Sequence, residues 1–155
     1  MNITYNALNV EHIEAIRAGG PDAYGAPAER FVYDAPGKPC RSCLDDVPVG
    51  EEALLYALRP FPAPQPYAET GPVFLCADCD ARAPSAEQPP SVASREAFLV
   101  KGYGDDDRIV YGTGRVTPTS EIDAYCETLL TRDDIAYVDL RSAVNNCFIC
   151  RVTAG

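Results

Sequence analysis

The stretch IAYVDLRSAVNNCFICRVTA, residues 135–154, contains two β-rich runs that are separated by Asn145 and Asn146. Asparagine tolerates the positive φ angles that a type I′ turn needs, so this pair predicts a β-hairpin with a two-residue turn. A hairpin here makes the last two strands of the chain antiparallel neighbours. The stretch therefore indicates a fold that is built around an antiparallel sheet.

The rest of the chain supplies further strands and two helices. Asn9 caps an apolar pattern that Gly19-Gly20-Pro21 ends, which predicts a helix near residues 10–18. Ser120 and Asp123 fit a capping box, which predicts a second helix near residues 120–132. Strands are expected within NITYNAL, ERFVYD, EEALLYALRPF, GPVFLCA and AFLVKGYGDDDRIVYGTGRV.

One of these stretches, EEALLYALRPF, is compatible with either a helix or a strand. Its residues are good helix formers, but its apolar run is short and ends at Pro60, as a buried strand would. We favour the strand. The total is then about seven strands and two helices, which predicts an α+β fold with a mainly antiparallel sheet in one domain, residues 1–155.

Charge and hydropathy exclude several classes of partner. The net charge is −10, and Lys and Arg form no cluster or stripe. Binding to nucleic acid or to anionic lipid requires local positive charge, so we expect neither kind of partner. No run approaches the 18 or so apolar residues of a membrane span, and the N-terminal stretch lacks the features of a signal peptide. We expect a cytoplasmic protein, and its oligomeric state stays open.

Seven cysteines are the main chemical signal in the sequence. A reducing cytoplasm makes a disulfide framework unexpected, so these thiols are predicted to be free, metal-bound or redox-active. Cys40 and Cys43 form one Cys-x-x-Cys pair in a turn, and Cys76 and Cys79 form another where a strand ends. Two such pairs supply the four soft ligands that structural zinc prefers, although 32 residues separate them, against roughly 15–20 in a zinc ribbon. Neither pair is followed by the glycine common in zinc knuckles.

The remaining three cysteines are predicted to be unrelated to this site. Cys147 and Cys150 have the same spacing, but in the expected hairpin residues three apart point to opposite faces of the sheet. Cys126 lies on the apolar face of the second helix, where a buried cysteine behaves as a small hydrophobe.

The two pairs leave three interpretations open: a structural zinc site, thiol redox chemistry, or cysteines with no ligand. A redox pair should lie at the start of a helix, where the dipole lowers the pKa of the attacking thiol. After Cys43 the chain reaches Pro48 and Gly50 too soon for a helix. The leading hypothesis is a non-catalytic domain with zinc. The alternative is a thiol-dependent enzyme or redox sensor with Cys40 or Cys43 as nucleophile, so whether the protein is an enzyme stays open.

The stretches PGKPCRSCLDD, GEEALLYALRPF, YAETGPVFLCADC and NNCF resemble an uncharacterised bacterial family, domain of unknown function 1203. The similarity extends over nearly the whole chain. It implies a small bacterial single-domain protein and no particular reaction. It also implies that cysteines at positions 40, 43, 79 and 147 recur, with histidine near position 76 in many members. Such an exchange of one zinc ligand for another favours a metal or reactive site.

A second candidate site involves Arg59, Tyr67 and Glu69, which flank the strands next to the two cysteine pairs. They would line a pocket, with Arg59 holding an anion and Glu69 accepting a proton. The competing interpretation is a surface ion pair that closes the proline-rich loop. The single histidine, His12, is expected on an exposed face of the first helix.

Overall fold

Two antiparallel sheets and three helices make up the regular structure in the computed structural model, which describes residues 2–155. The strands are β1 (Ile3–Asn6), β2 (Glu29–Val32), β3 (Glu52–Leu58), β4 (Gly71–Cys76), β5 (Ala97–Tyr103), β6 (Arg115–Pro118), β7 (Tyr137–Ser142) and β8 (Phe148–Ala154). The helices are α1 (Val10–Arg17), α2 (Pro90–Ala93) and α3 (Ile122–Leu130), and a 3-10 turn, Thr119–Glu121, precedes α3. No helix within residues 2–155 has the length and apolar character needed to cross a membrane.

The order of the strands confirms the α+β class and the antiparallel pairing. The larger sheet has the order β1-β8-β7-β5-β6, and the smaller sheet has the order β2-β3-β4. About seven strands were predicted, and the described residues form eight, which are divided between two sheets. Alternation of apolar residues marks a strand, but it carries no information on which strands share hydrogen bonds.

Helix α1 forms as its end signals predict. The Asn9 side chain accepts hydrogen bonds from the backbone N–H groups of Glu11 and His12, which closes the first turn. Gly19 has a φ of 89° and ends the helix in the left-handed region. The apolar face buries Ile13 and Ile16 against the small sheet.

Helix α3 covers the larger sheet, but it begins differently from the prediction. The predicted capping box at Ser120 and Asp123 is wrong, because Ser120 lies inside the 3-10 turn and no side chain caps α3. The apolar face is as predicted: Ile122, Cys126 and Leu129 are buried against the sheet. Burial of this face, and not a cap, therefore positions the helix.

The hairpin of β7 and β8 is present, but its predicted two-residue turn is wrong. The strands end at Ser142 and resume at Phe148, so residues 143–147 form a longer loop. The Ser142 hydroxyl accepts hydrogen bonds from the backbone N–H groups of Val144 and Asn145, which starts the turn early. Asn146 has a φ of 60°, the conformation for which asparagine was expected. Cys147 consequently lies in the loop and not in the strand.

The core has two main parts, one for each sheet. The small-sheet core contains α1 and both Cys40 and Cys76, and the large-sheet core contains α3, Cys126 and Cys150. The loop of residues 40–44 joins the two parts, because Cys40 is buried in the small-sheet core and Leu44 in the large-sheet core. The next contacts of this loop place it across the junction: Arg41 donates its backbone N–H to Phe74 of β4, and Leu44 accepts one from Ser91 of α2.

Candidate metal centre

Two turns bring the four cysteines of the Cys-x-x-Cys pairs together. Cys40 and Cys43 lie in the 40–44 loop, where the backbone N–H of Leu44 donates to the Cys40 carbonyl at 3.1 Å. Cys76 is the last residue of β4, and Cys79 lies in the turn that follows. A parallel bridge between Cys40 and Phe74 holds the first turn beside the end of β4.

The distances between the sulfurs match those of a tetrahedral ion site. The four Sγ atoms all lie within 4.8 Å of one another, and the Cys40 and Cys79 sulfurs are 3.8 Å apart. A Zn–S bond of about 2.3 Å in a tetrahedron gives sulfur–sulfur distances of about 3.8 Å. Cys40 and Cys76 are buried, whereas Cys43 and Cys79 are half-buried. The four cysteines thus cluster within metal-binding distance of one another at the edge of the small-sheet core.

Leu44 occupies the position in which a knuckle commonly has glycine. Its φ is 57°, which is the left-handed conformation that returns the chain after Cys43. Its side chain is only 1% exposed, because it packs into the large-sheet core. The turn that glycine makes without strain is therefore present in this chain, and the side chain that glycine lacks connects the two sheets.

Positive groups surround the sulfurs. The backbone N–H of Cys76 lies 3.2 Å from the Cys40 sulfur, and that of Ser42 lies 3.4 Å from it. Arg17, in the last turn of α1, donates from Nη2 to the Cys79 sulfur at 3.1 Å and to the Cys76 carbonyl at 3.0 Å. Four thiolates and one divalent cation carry a net charge of −2, which these donors partly offset. Sequence reasoning missed Arg17, whose position at the helix end indicated only a contact with the helix dipole.

The proximity of the sulfurs shifts the pKa values of these thiols in opposite directions. The thiols of Cys43 and Cys76 donate hydrogen bonds to the Cys40 sulfur, and this lowers the pKa of Cys40 far below its ordinary value. The hydrogen bond to Cys40 raises the pKa of Cys43 to about 12 and raises the pKa of Cys76 as well. Without a cation the cluster therefore favours one thiolate. A bound divalent cation takes the place of the shared protons, since metal ligation requires deprotonated cysteines.

The geometry of the two pairs differs from that of thiol–disulfide enzymes. Neither pair opens a helix, because the helices begin at Val10, Pro90 and Ile122. Cys40 is fully buried, so the thiol with the lowered pKa is closed to a substrate. A nucleophile needs both a low pKa and access, and in this cluster access belongs to Cys43 and Cys79.

The other three cysteines lie apart from the cluster. Cys126 and Cys150 are buried together in the large-sheet core, and burial raises the pKa of Cys126 to about 12 and the pKa of Cys150 also. Cys147 is half-buried in the β7–β8 loop. The two residues of the CFIC stretch therefore separate because the strand begins after Cys147, which differs from the predicted alternation within one strand.

Arg59, Tyr67 and Glu69 have three different sets of partners. Arg59 donates from Nε to the Phe61 carbonyl, and Tyr67 lies 2.8 Å from the hydroxyl of Tyr111. Glu69 accepts a hydrogen bond from Lys101 at 3.2 Å and another from Asn146 at 2.8 Å. The ion pairs of Glu69 in residues 2–155 are with Lys101 and Arg141, and none joins it to Arg59. A pocket formed by the three residues stays a prediction.

The comparisons with known proteins give one match. A family model described as "Protein of unknown function (DUF1203)" matches residues 37–154, which include the four clustered cysteines. No curated protein matches the chain. No solved structure matches it either.

Proposed function

We propose that this chain, which belongs to the DUF1203 family of proteins of unknown function, binds one structural zinc ion through Cys40, Cys43, Cys76 and Cys79. The observation that supports this proposal is the convergence of four cysteine sulfurs within 4.8 Å. Four thiolates in a tetrahedron select zinc or iron over hard cations such as magnesium and calcium. In the reducing compartment that we expect for this protein, zinc is the ion that needs no redox partner.

A structural role follows from the number and position of the ligands. Four protein ligands fill the tetrahedron, so no coordination position is left for the water or substrate of a catalytic zinc site. Two ligands would come from the 40–44 loop, one from the end of β4 and one from the turn that follows β4. The ion would therefore fix the loop that carries Leu44 into the large-sheet core. In this proposal the protein is a non-catalytic cytoplasmic domain, and the metal stabilises the loop that connects its two sheets.

The test is metal analysis of protein that is purified without a histidine tag. We expect about one equivalent of zinc per chain and four thiols that react only after a chelator is added. Cys43→Ser should reduce the zinc content to a small fraction, because Cys43 is a ligand and its half-buried position tolerates serine. Cys147→Ser is the matched control, since Cys147 is equally half-buried but lies outside the cluster. It should retain the metal.

Three results would contradict the proposal. Less than about 0.2 equivalents of zinc, with all four thiols freely titratable, would remove the metal site. One equivalent of iron would keep the site and overturn the assignment to zinc. Rapid alkylation of one clustered thiol at about pH 6 in the purified protein would point to a reactive cysteine.

A further inference from the structure

A cavity of about 1040 Å³ is lined by residues of both sheets and by Arg41 of the 40–44 loop, but by none of the four clustered cysteines. Its walls come from β3 and β4 of the small sheet, the start of β5 and the β7–β8 loop. Small-molecule sites have volumes of about 300–1,000 Å³ and are mainly apolar with few polar groups. This cavity has that character, with Leu55, Phe74, Phe98 and Ile149 among its lining residues.

The polar group that distinguishes the cavity is Arg41. The residue lines the cavity and is only 2% exposed. Its Nε donates to the Phe148 carbonyl at 2.7 Å, and its Nη1 donates to the Pro39 carbonyl. In residues 2–155 no hydrogen bond is formed by Nη2, and no ion pair joins Arg41 to a carboxylate. The buried guanidinium therefore lies beside the cysteine cluster but has no carboxylate partner, and an arginine keeps its charge.

The other charged side chains that line the cavity do not pair with Arg41. Arg95 is held by Asp46, whose carboxylate lies 2.9 Å away. Glu96 is exposed at the rim and forms no ion pair with Arg41. Arg41 thus lines the cavity without a carboxylate partner, so a carboxylate ligand would meet no competing ion pair at this guanidinium.

We propose that this cavity binds a small organic monocarboxylate whose apolar body lies against the sheet residues and whose carboxylate contacts Arg41. One guanidinium nitrogen forms no hydrogen bond within the protein. A single donor suits a carboxylate better than a phosphate, because a phosphate group needs several donors. The net charge of −10 disfavours ligands with more than one negative charge. The apolar lining requires an aliphatic or aromatic body, because a small hydrophilic acid would leave these walls unfilled.

Cys147 provides a reporter inside the same cavity. It lines the cavity and is half-buried, whereas Cys126 and Cys150 are fully buried. A bound ligand should cover its thiol. Alkylation at Cys147, located by mass spectrometry of the digested protein, therefore measures occupancy of the cavity separately from the binding titration.

The experiment titrates the protein as purified with octanoate, with octanol of the same chain length, and with inorganic phosphate. We expect octanoate to bind with about one site per chain, to slow the alkylation of Cys147, and to bind at least tenfold more tightly than octanol. Phosphate should neither bind nor protect the thiol. Arg41→Met should remove the preference for the carboxylate over the alcohol.

A second pair of variants keeps the test informative if Arg41→Met fails to fold. Ala143 is exposed and lines the cavity, so Ala143→Asp adds a negative charge at the mouth without removing any core contact. It should weaken octanoate binding about fivefold more than Ala143→Asn, which has the same size and no charge. Equal affinities of octanoate and octanol, octanoate binding that does not protect Cys147, or equal effects of the two variants would overturn the proposal. Binding of phosphate with protection of Cys147 would assign the cavity to phosphorylated ligands and overturn the assignment to carboxylates.

Discussion

Replacing Leu44 tests whether one residue serves both the turn around the cysteines and the packing between the sheets. Its φ of 57° is strained for leucine, and its side chain is 1% exposed in the large-sheet core. Leu44→Gly relieves the backbone and deletes the side chain, whereas Leu44→Ala deletes the side chain and keeps the strain. The two variants therefore separate the two effects.

The packing effect should be the larger one. Truncation of a buried leucine to alanine costs about 2–5 kcal/mol of the free energy of unfolding. A left-handed conformation costs a non-glycine residue roughly 1–2 kcal/mol, and glycine loses about 0.5–1 kcal/mol more backbone entropy than alanine on folding. Leu44→Gly should thus be more stable than Leu44→Ala by up to about 1.5 kcal/mol, and both should be less stable than the parent by roughly 1–5 kcal/mol.

Urea unfolding at one fixed concentration of free zinc measures these differences, since bound metal shifts the apparent stability. Asn146 supplies the control, because it has a φ of 60° but an exposed side chain. Asn146→Gly relieves the left-handed backbone but also removes the Nδ2 hydrogen bond to Glu69, so its stability should stay within about 1 kcal/mol of the parent. The reasoning is refuted if Leu44→Gly is as stable as the parent, or if Leu44→Ala is more stable than Leu44→Gly.

Two further predictions concern charged groups. Arg17→Met removes the donor to the Cys79 sulfur, so the affinity for zinc should fall about tenfold. Competition with a chromophoric chelator measures this affinity. Arg115→Met, which breaks an exposed ion pair, should not change it. For Glu69, partial burial acts to raise the pKa, but the charge of Arg141 and the contacts with Lys101 and Asn146 together outweigh it and lower the pKa. The stabilising effect of the Glu69 charge is therefore complete above its ordinary pKa of about 4.5 and is lost as the pH falls through the folded pKa. The difference in unfolding free energy between the parent and Glu69→Gln should shrink from about pH 6 to pH 4. A constant difference would contradict this.

Local signals in the sequence were sufficient for most elements. Helix α1 formed where Asn9 and Gly19 mark its ends, and the ambiguous stretch before Pro60 is strand β3, as its short apolar run predicted. The turn between β7 and β8 was predicted wrongly, because the Ser142 hydroxyl competes for the backbone N–H groups that a two-residue turn would leave free. The division into two sheets depends on contacts between distant residues, which apolar alternation does not encode.

The clustering of the four cysteines was predictable from the sequence, but their surroundings were not. The spacing of the four cysteines was enough to group them, and the third pair with that spacing, Cys147 and Cys150, was set aside because both residues were expected in one strand. The absence of glycine after Cys43 argued against a knuckle. Leu44 nevertheless makes the same turn, because burial of its side chain in the large-sheet core offsets the backbone strain. Arg17 reaches the cluster from the end of helix α1, and Arg41 lies within the 40–44 loop. Only the folded chain shows that one contacts a sulfur and the other faces a cavity.

The position of Arg41 connects the two proposals. It stands between Cys40 and Cys43, so a metal that fixes these two residues also fixes the backbone from which the guanidinium reaches the cavity. Its Nε contact with Phe148 joins the same loop to β8 of the larger sheet. Because coupling between two binding sites is reciprocal, an anion that orders Arg41 would favour the loop conformation that holds the metal. The zinc site would then stabilise the cavity through the backbone between Cys40 and Cys43, without any contact between the metal and the ligand.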